Sequence, residues 1–248
     1  ADLKAISATG AYGLSVITAL TAQNTVGVDA IYPVAIDFLK QQMQTVARDI
    51  QIDAVKIGML GTMEVTEAVA AFIASLDCPL VVDPVMVAKS GDRLLHADAI
   101  ASLRELLIPK ATLITPNLPE AADLLGLAEA GDRESMQEQA SALLELGPCA
   151  VLLKGGHLGS ADSPDLLVFN HQSTWFEHER IQTDNTHGTG CTLSSSLASY
   201  LGQGLSIPKA VLAAKTYISG AIAASDRLNV GHRRGPVHHF WDLWRNDG

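Results

Sequence analysis

From Asn185 to Ser196 the chain reads Asn-Thr-His-Gly-Thr-Gly-Cys-Thr-Leu-Ser-Ser-Ser, with Gly188 and Gly190 ahead of small residues that suit a helix. Glycines let backbone N–H groups approach an anion closely, and a helix amino end carries roughly half a positive charge. Thr186-His187-Gly188-Thr189-Gly190-Cys191 can therefore build an anion hole at a helix entrance, although an ordinary flexible turn has the same composition. A thiol in such a first turn is expected to ionise easily and to serve as base or nucleophile. Neither G-x-x-x-x-G-K-[ST] nor G-x-G-x-x-G occurs, so no common nucleotide fingerprint competes.

Further polar or glycine signals fall where strand-like runs stop: Gly58-Met59, Asp83-Pro84, Asn117 with Glu120, and Lys154-Gly155-Gly156. Ligands of an open parallel sheet collect outside the carboxyl ends of its strands, so these positions should share one rim. Asn117 and Glu120, spaced i,i+3 in a first turn, could offer oxygens to a hard cation or could simply cap the helix. Met59 suits either the core or a soft surface against a flat ring, and Val85 suits the wall of the same pocket. Segment 88–93, charged and containing glycine, reads as a lid or as a plain surface loop. Lys56 sits inside a strand pattern without an evident role. His187 either contacts the anion or shapes the turn, and His238 and His239 are expected at the surface.

These residues need elements to hold them. Strand-like runs at 15–22, 54–58, 80–83, 112–115 and 150–153 alternate with helical runs at 34–49, 63–75, 98–107 and 133–146, with a further helix opening near Asn117. A hairpin over 165–170 and 173–179 and helices at 190–201 and 208–225 follow, while residues 1–6 also read as helix. Alternation of this kind yields an α/β fold with a mostly parallel sheet covered by helices. With apolar residues at 48 %, charged at 18 % and aromatic at 5 %, the composition suits strands buried on both faces. A length of 248 residues fits one domain over 1–248.

A formal charge of −10 gives no broad attraction for nucleic acid or anionic lipid, and no apolar run is long enough to span a bilayer. The chain is expected to be cytoplasmic. Cys78, Cys149 and Cys191 form no C-x-x-C pair, which argues against a disulfide framework or zinc knuckle. Cys78 and Cys149 each precede a strand and are expected to be small buried hydrophobes.

Asn185-Thr-His-Gly-Thr-Gly-Cys-Thr-Leu-Ser194, with Thr21-Ala-Gln-Asn-Thr25, Val55-Lys-Ile-Gly-Met-Leu60, Val82-Asp-Pro-Val-Met-Val87 and Leu152-Leu-Lys-Gly-Gly-His157, resembles the hydroxymethylpyrimidine/phosphomethylpyrimidine kinases of thiamine biosynthesis, in the ribokinase-like superfamily. The resemblance runs from Ala1 to about Trp244. It implies a Rossmann-like three-layer α/β/α sandwich, ATP and Mg2+, and two successive phosphorylations of one aminopyrimidine, with pyridoxal as the nearest alternative substrate and a silent binding module as a rival. It further implies a homodimer, and a strand with a glycine-rich loop ahead of Ala1. By the resemblance, the amides from Gly188 through Thr189 and Gly190 to Cys191 neutralise the moving phosphate. Cys191 stands where related sugar kinases carry an aspartate base. Gln23 contacts the aminopyrimidine edge and Asp2 lies near the substrate. With ATP implied, Lys154 suits its phosphates, and Asp83 and Glu120 suit a magnesium network, directly or through water.

Overall fold

The computed structural model describes residues 1–86, 97–156, 158, 163–177 and 180–244. Helix α1 (Asp2–Ala8) is followed by β1 (Ala19–Gln23), β2 (Val28–Pro33) and α2 (Ile36–Asp49). Then come β3 (Val55–Ile57), α3 (Met63–Ile73), β4 (Leu80–Val82), α4 (Ala97–Ser102), β5 (Leu113–Ile114), α5 (Leu118–Leu125) and α6 (Arg133–Leu144). The chain closes with β6 (Ala150–Lys154), β7 (Asp165–Phe169), β8 (Gln172–Phe176), α7 (Thr189–Gly202) and α8 (Ile207–Ala223). The main sheet has the order β3-β4-β5-β6-β7-β8. Its first four strands are parallel and the last two are added antiparallel.

Strand alternation divides the core into two layers. Ile57, Val82, Ile114, Val151 and Leu153 pack with α2, α3, α5 and α6. Val81, Leu113, Ala150, Leu152 and Leu167 face α7 and α8 on the other side. The expected α/β/α sandwich is the architecture observed. Among the described residues no helix is long and apolar enough to cross a membrane. The β7–β8 hairpin turns through Asn170 and His171, both at positive φ (51° and 57°), the twist a two-residue hairpin demands.

Several expectations are corrected. The early strand occupies Ala19–Gln23 rather than 15–22, and its partner β2 went unread because it is largely exposed on both faces and shows no alternation. These two strands form a separate antiparallel ribbon. Gln42 anchors its approach by accepting from Ile17 N–H at 3.0 Å and donating to the Ile17 carbonyl at 3.1 Å. The helix expected over 98–107 widens into a π turn at Leu103–Leu107 and tightens at Ile108–Lys110, where Pro109 cannot donate a helical hydrogen bond. Cys149 is exposed and Cys78 half-buried, so neither is a fully buried hydrophobe. His238 and His239 are buried, contrary to their expected surface placement.

Candidate active site

Gly188 caps α7 at φ 80°, a left-handed conformation that a residue with Cβ adopts only at a cost. The loop before it is pinned from a distant part of the chain. His187 N–H donates to the Gly235 carbonyl at 3.0 Å, and Val237 N–H donates to the His187 carbonyl at 3.3 Å. Asn185 accepts from Gly235 N–H at 3.0 Å and donates to Asp226 at 2.8 Å. His187 therefore shapes the turn through its backbone. The Thr189 hydroxyl donates to the Thr186 carbonyl at 2.8 Å, and Thr192 N–H closes the first helical bond onto Gly188. The amides of Gly190 and Cys191 precede that bond, among the groups a helix cannot satisfy internally.

Gly190 lies against the strand ends. A Cβ there would sit 3.6 Å from Lys154 Nζ and 3.8 Å from Asp83 Oδ2, so its backbone faces both. Asp83, just past β4, is 2 % exposed. Its Oδ1 accepts from Lys154 at 2.9 Å and from Thr115 at 3.0 Å, and its Oδ2 accepts from Ser194 at 3.2 Å. Asn117 and Glu120 form a reciprocal capping box at the start of α5, with both bonds 2.8 Å. The capping alternative is thus realised. Glu120 nonetheless reaches the cluster, its Oε2 lying 3.9 Å from Lys154.

Charge follows from this packing. Burial alone would raise the Asp83 carboxyl, but the Lys154 and Lys56 charges and the bonds from Lys154 and Thr115 outweigh it and hold it below its usual range. Burial pushes Glu120 up to about 7, opposed by Lys154 and reinforced by Asp83. Burial alone would lower Lys154, yet the charges of Asp83 and Glu120 hold it above the ordinary lysine range. The rim thus holds a firm ammonium, a firm carboxylate and a carboxyl poised near neutrality.

The Lys56 side chain is 6 % exposed and donates to Asp2 Oδ2 at 3.1 Å. Asp2 Oδ1 is enclosed and has no hydrogen-bond partner among the described residues. The Cys191 thiol is raised by burial, with the Lys56 charge the strongest influence pulling it down. This corrects the expectation of an easily ionised thiol, because enclosure outweighs the helix end. A cavity of about 300 Å³ lies elsewhere, at the amino-terminal ends of β3 and β4, lined by residues including Val55, Ile73, Cys78 and Lys110.

The family model for phosphomethylpyrimidine kinase matches residues 1–238. The chain belongs to the phosphomethylpyrimidine kinase family. A hydroxymethylpyrimidine/phosphomethylpyrimidine kinase of Rhizobium meliloti (strain 1021) is 49 % identical over 246 residues, covering 99 % of this chain and 92 % of the relative. Among solved structures, the phosphomethylpyrimidine kinase of Clostridium difficile 630 superposes with a TM-score of 0.79 at 42 % identity, covering 89 % and 91 % of the two chains. The pyridoxal kinase of Bacillus subtilis, solved with ADP, superposes with a TM-score of 0.89 at 33 % identity, covering 98 % and 92 %. The chain is thus a phosphotransferase with the ribokinase-like fold.

In this phosphomethylpyrimidine kinase family member the structure brings Gly190, Cys191, Asp83, Lys154, Glu120 and Asn117 to one rim, with Asp2 alongside through Lys56. Met59 and Val85 are half-buried just beyond β3 and β4. Gln23 stands exposed at the bulged end of β1, where the Thr21 hydroxyl donates to it at 3.5 Å, and its contacts do not reach the rim. Thr18 ties the ribbon to the rim by donating to the Met59 carbonyl at 2.9 Å. The segment 88–93 lies outside the described residues. Lys56 was singled out in the sequence without a role, and Thr115 and Ser194 were given none. A lone charge inside the run Val55-Lys56-Ile57 was the signal for the first, whereas the two hydroxyls carried none.

Proposed function

We propose that this chain transfers the γ-phosphoryl group of ATP to the hydroxymethyl oxygen of 4-amino-5-hydroxymethyl-2-methylpyrimidine, and then to the resulting monophosphate, in thiamine biosynthesis. One observation carries this reading: the Gly190 backbone at the α7 entrance faces the Lys154–Asp83 pair. Phosphoryl transfer needs in-line placement and charge neutralisation more than covalent help. The amides of Gly188, Gly190 and Cys191 take the transferred phosphate, joined by that of Thr189 if it leaves the Thr186 carbonyl to which it donates at 3.3 Å, and Lys154 holds the nucleotide phosphates. Cys191 receives the proton of the acceptor hydroxyl, with Lys56 stabilising the thiolate.

On the substrate side, Gln23 offers its amide to the aminopyrimidine edge while Met59 and Val85 flank the ring. Asp2 has an enclosed oxygen without a partner, which suits a donor group of the substrate. Among the described residues no three His, Cys, Asp or Glu gather into a metal cage. Both Asp83 oxygens already accept protein hydrogen bonds, and Glu120 Oε2 accepts from Asn117 N–H. The donor set therefore fits Mg2+ arriving with the nucleotide, met by Asp83 and Glu120 through water. Bound there, it would offset phosphate charge.

Mass spectrometry of hydroxymethylpyrimidine incubated with Mg-ATP and the protein should reveal products with one and two added phosphates. Unchanged pyrimidine would sink the assignment. Pyridoxal is the second reading, favoured by the 0.89 TM-score to a pyridoxal kinase but set against 49 % identity to a pyrimidine kinase. A larger specificity constant for pyridoxal would reverse the order. Ligand binding without ADP release would indicate a silent binding module. The resemblance also supports a single cytoplasmic kinase domain that pairs as a homodimer, which sedimentation at micromolar concentration would test.

A further inference from the structure

On the sheet face covered by α7 and α8, Asp83, Lys154 and Asp165 meet Lys215 of α8, and these four charges could pair in more than one way. Lys154 and Asp165 are direct partners in the antiparallel β6–β7 ladder. Such partners project onto the same face, with Cβ atoms about 4.5–5.5 Å apart. That face is the one covered by α7 and α8, as Leu152 and Leu167 of the same strands demonstrate. Yet Lys154 does not bond its ladder partner. It reaches Asp83 at 2.9 Å, while Asp165 turns to Lys215 of α8 at 2.7 Å. Asp165 is 4 % exposed and Lys215 7 %.

Asp165 has a second task. Its Oδ1 accepts from Gly155 N–H at 3.0 Å, one residue beyond Lys154. The approach is close, since a side chain at Gly155 would collide with the Pro164 carbonyl. A buried ion pair is often matched in stability by apolar residues of similar volume, so packing α8 onto β7 does not by itself require charge. What the charge adds is direction: it decides which cation Asp165 faces.

We propose that Lys215 is a positioning residue for phosphoryl transfer. By holding Asp165 toward α8, it leaves Lys154 directed at Asp83 and at the incoming nucleotide phosphate, while Asp165 fixes the Gly155 turn. Without Lys215, the ladder partner Lys154 is the described ammonium placed directly beside Asp165, and drawing it sideways takes it off the phosphate path. This inference rests on the assignment of Lys154 to the nucleotide phosphates.

The test is calorimetric affinity of the full chain for a non-hydrolysable ATP analogue with Mg2+, measured where circular dichroism reports complete folding. Lys215→Met should weaken the analogue about tenfold, the scale of a small misplacement of a binding group, and leave pyrimidine affinity unchanged. Lys215→Arg should bind normally. The double variant Lys215→Met/Asp165→Asn should recover most of the lost affinity, because nothing then diverts Lys154. Unchanged affinity in folded Lys215→Met, or a double variant as weak as the single one, overturns the proposal. Should Lys215→Met fail to fold, Lys215→Gln, which can still donate to Asp165 without charge, is expected to show a smaller loss, and normal affinity there overturns it too. Lys154→Met separates the two readings. If it leaves analogue affinity intact, the phosphate assignment and this inference fall together; if it weakens affinity while Lys215→Met does not, only the inference falls.

Discussion

The rim around Gly190 and the β1–β2 ribbon are built on opposite plans. At the rim, Asp83 is held by Lys154, Thr115 and Ser194, and Glu120 is locked into a capping box. Its groups are oriented before any ligand arrives, the condition under which fixed charges stabilise a moving phosphate. Among the described residues the ribbon's strands pair with no strand of the main sheet, and Leu20, Ile31 and Tyr32 are exposed. Under the proposed function, phosphate chemistry falls to the rim and recognition of the acceptor ring to the ribbon. The two should fail differently when altered.

The largest effect is expected at the rim. Cys191→Ala should lower turnover by about a hundredfold, the usual contribution of a general base, with ATP binding little changed. Near-normal turnover would remove Cys191 as proton acceptor. Because burial raises this thiol, the wild-type rate should climb with pH through neutrality, and the slope should vanish in the variant. On the ribbon, Gln23→Ala should raise KM for the pyrimidine about tenfold, the scale of a lost hydrogen-bond partner, and spare KM for ATP. If both constants rise together, recognition is not confined to the ribbon.

Gly188→Ala tests the cradle itself. Forcing a Cβ into a φ of 80° should cost about 1–2 kcal/mol, and thermal denaturation should register a drop of a few degrees. A last effect, visible only as a pH dependence, concerns Glu120. Its folded pKa of about 7 lies above the ordinary glutamate range, so the folded state binds this proton more tightly than the unfolded chain. Its contribution to stability is full below that range and is lost as pH rises toward about 7. Glu120→Gln should flatten this part of the melting profile, and an unaltered slope would show that Glu120 does not cause it.

The same contrast explains what the sequence revealed. Asp83, Asn117, Glu120 and Lys154 were legible because each ends a strand-like run in an alternating pattern, and pattern alone puts such ends on one rim. The hairpin was legible as two short runs, 165–170 and 173–179, and the structure pairs Asp165–Phe169 with Gln172–Phe176. Strand β2 was hidden, since exposure on both faces erases the alternation by which strands are read. Lys56, Thr115, Ser194 and Lys215 take their meaning from partners 54, 32, 111 and 50 residues away, and no local spacing encodes that. His239 was misjudged for the same reason, its ring bonding Thr192 at 3.0 Å, 47 residues earlier. For Cys191 the local rule, a helix end favouring the thiolate, was sound but was outweighed by burial.

The bridge between His187 and Pro236 makes the anion turn depend on a segment that lies beyond α8. Val237, in that same segment, is buried among the residues of α7 and α8 that cover one face of the sheet. The cradle is therefore fastened to the core from both sides of the last two helices. A cut between α8 and residue 235 should loosen the turn ahead of Gly188 and lower phosphoryl transfer more than it lowers the helix content read by circular dichroism.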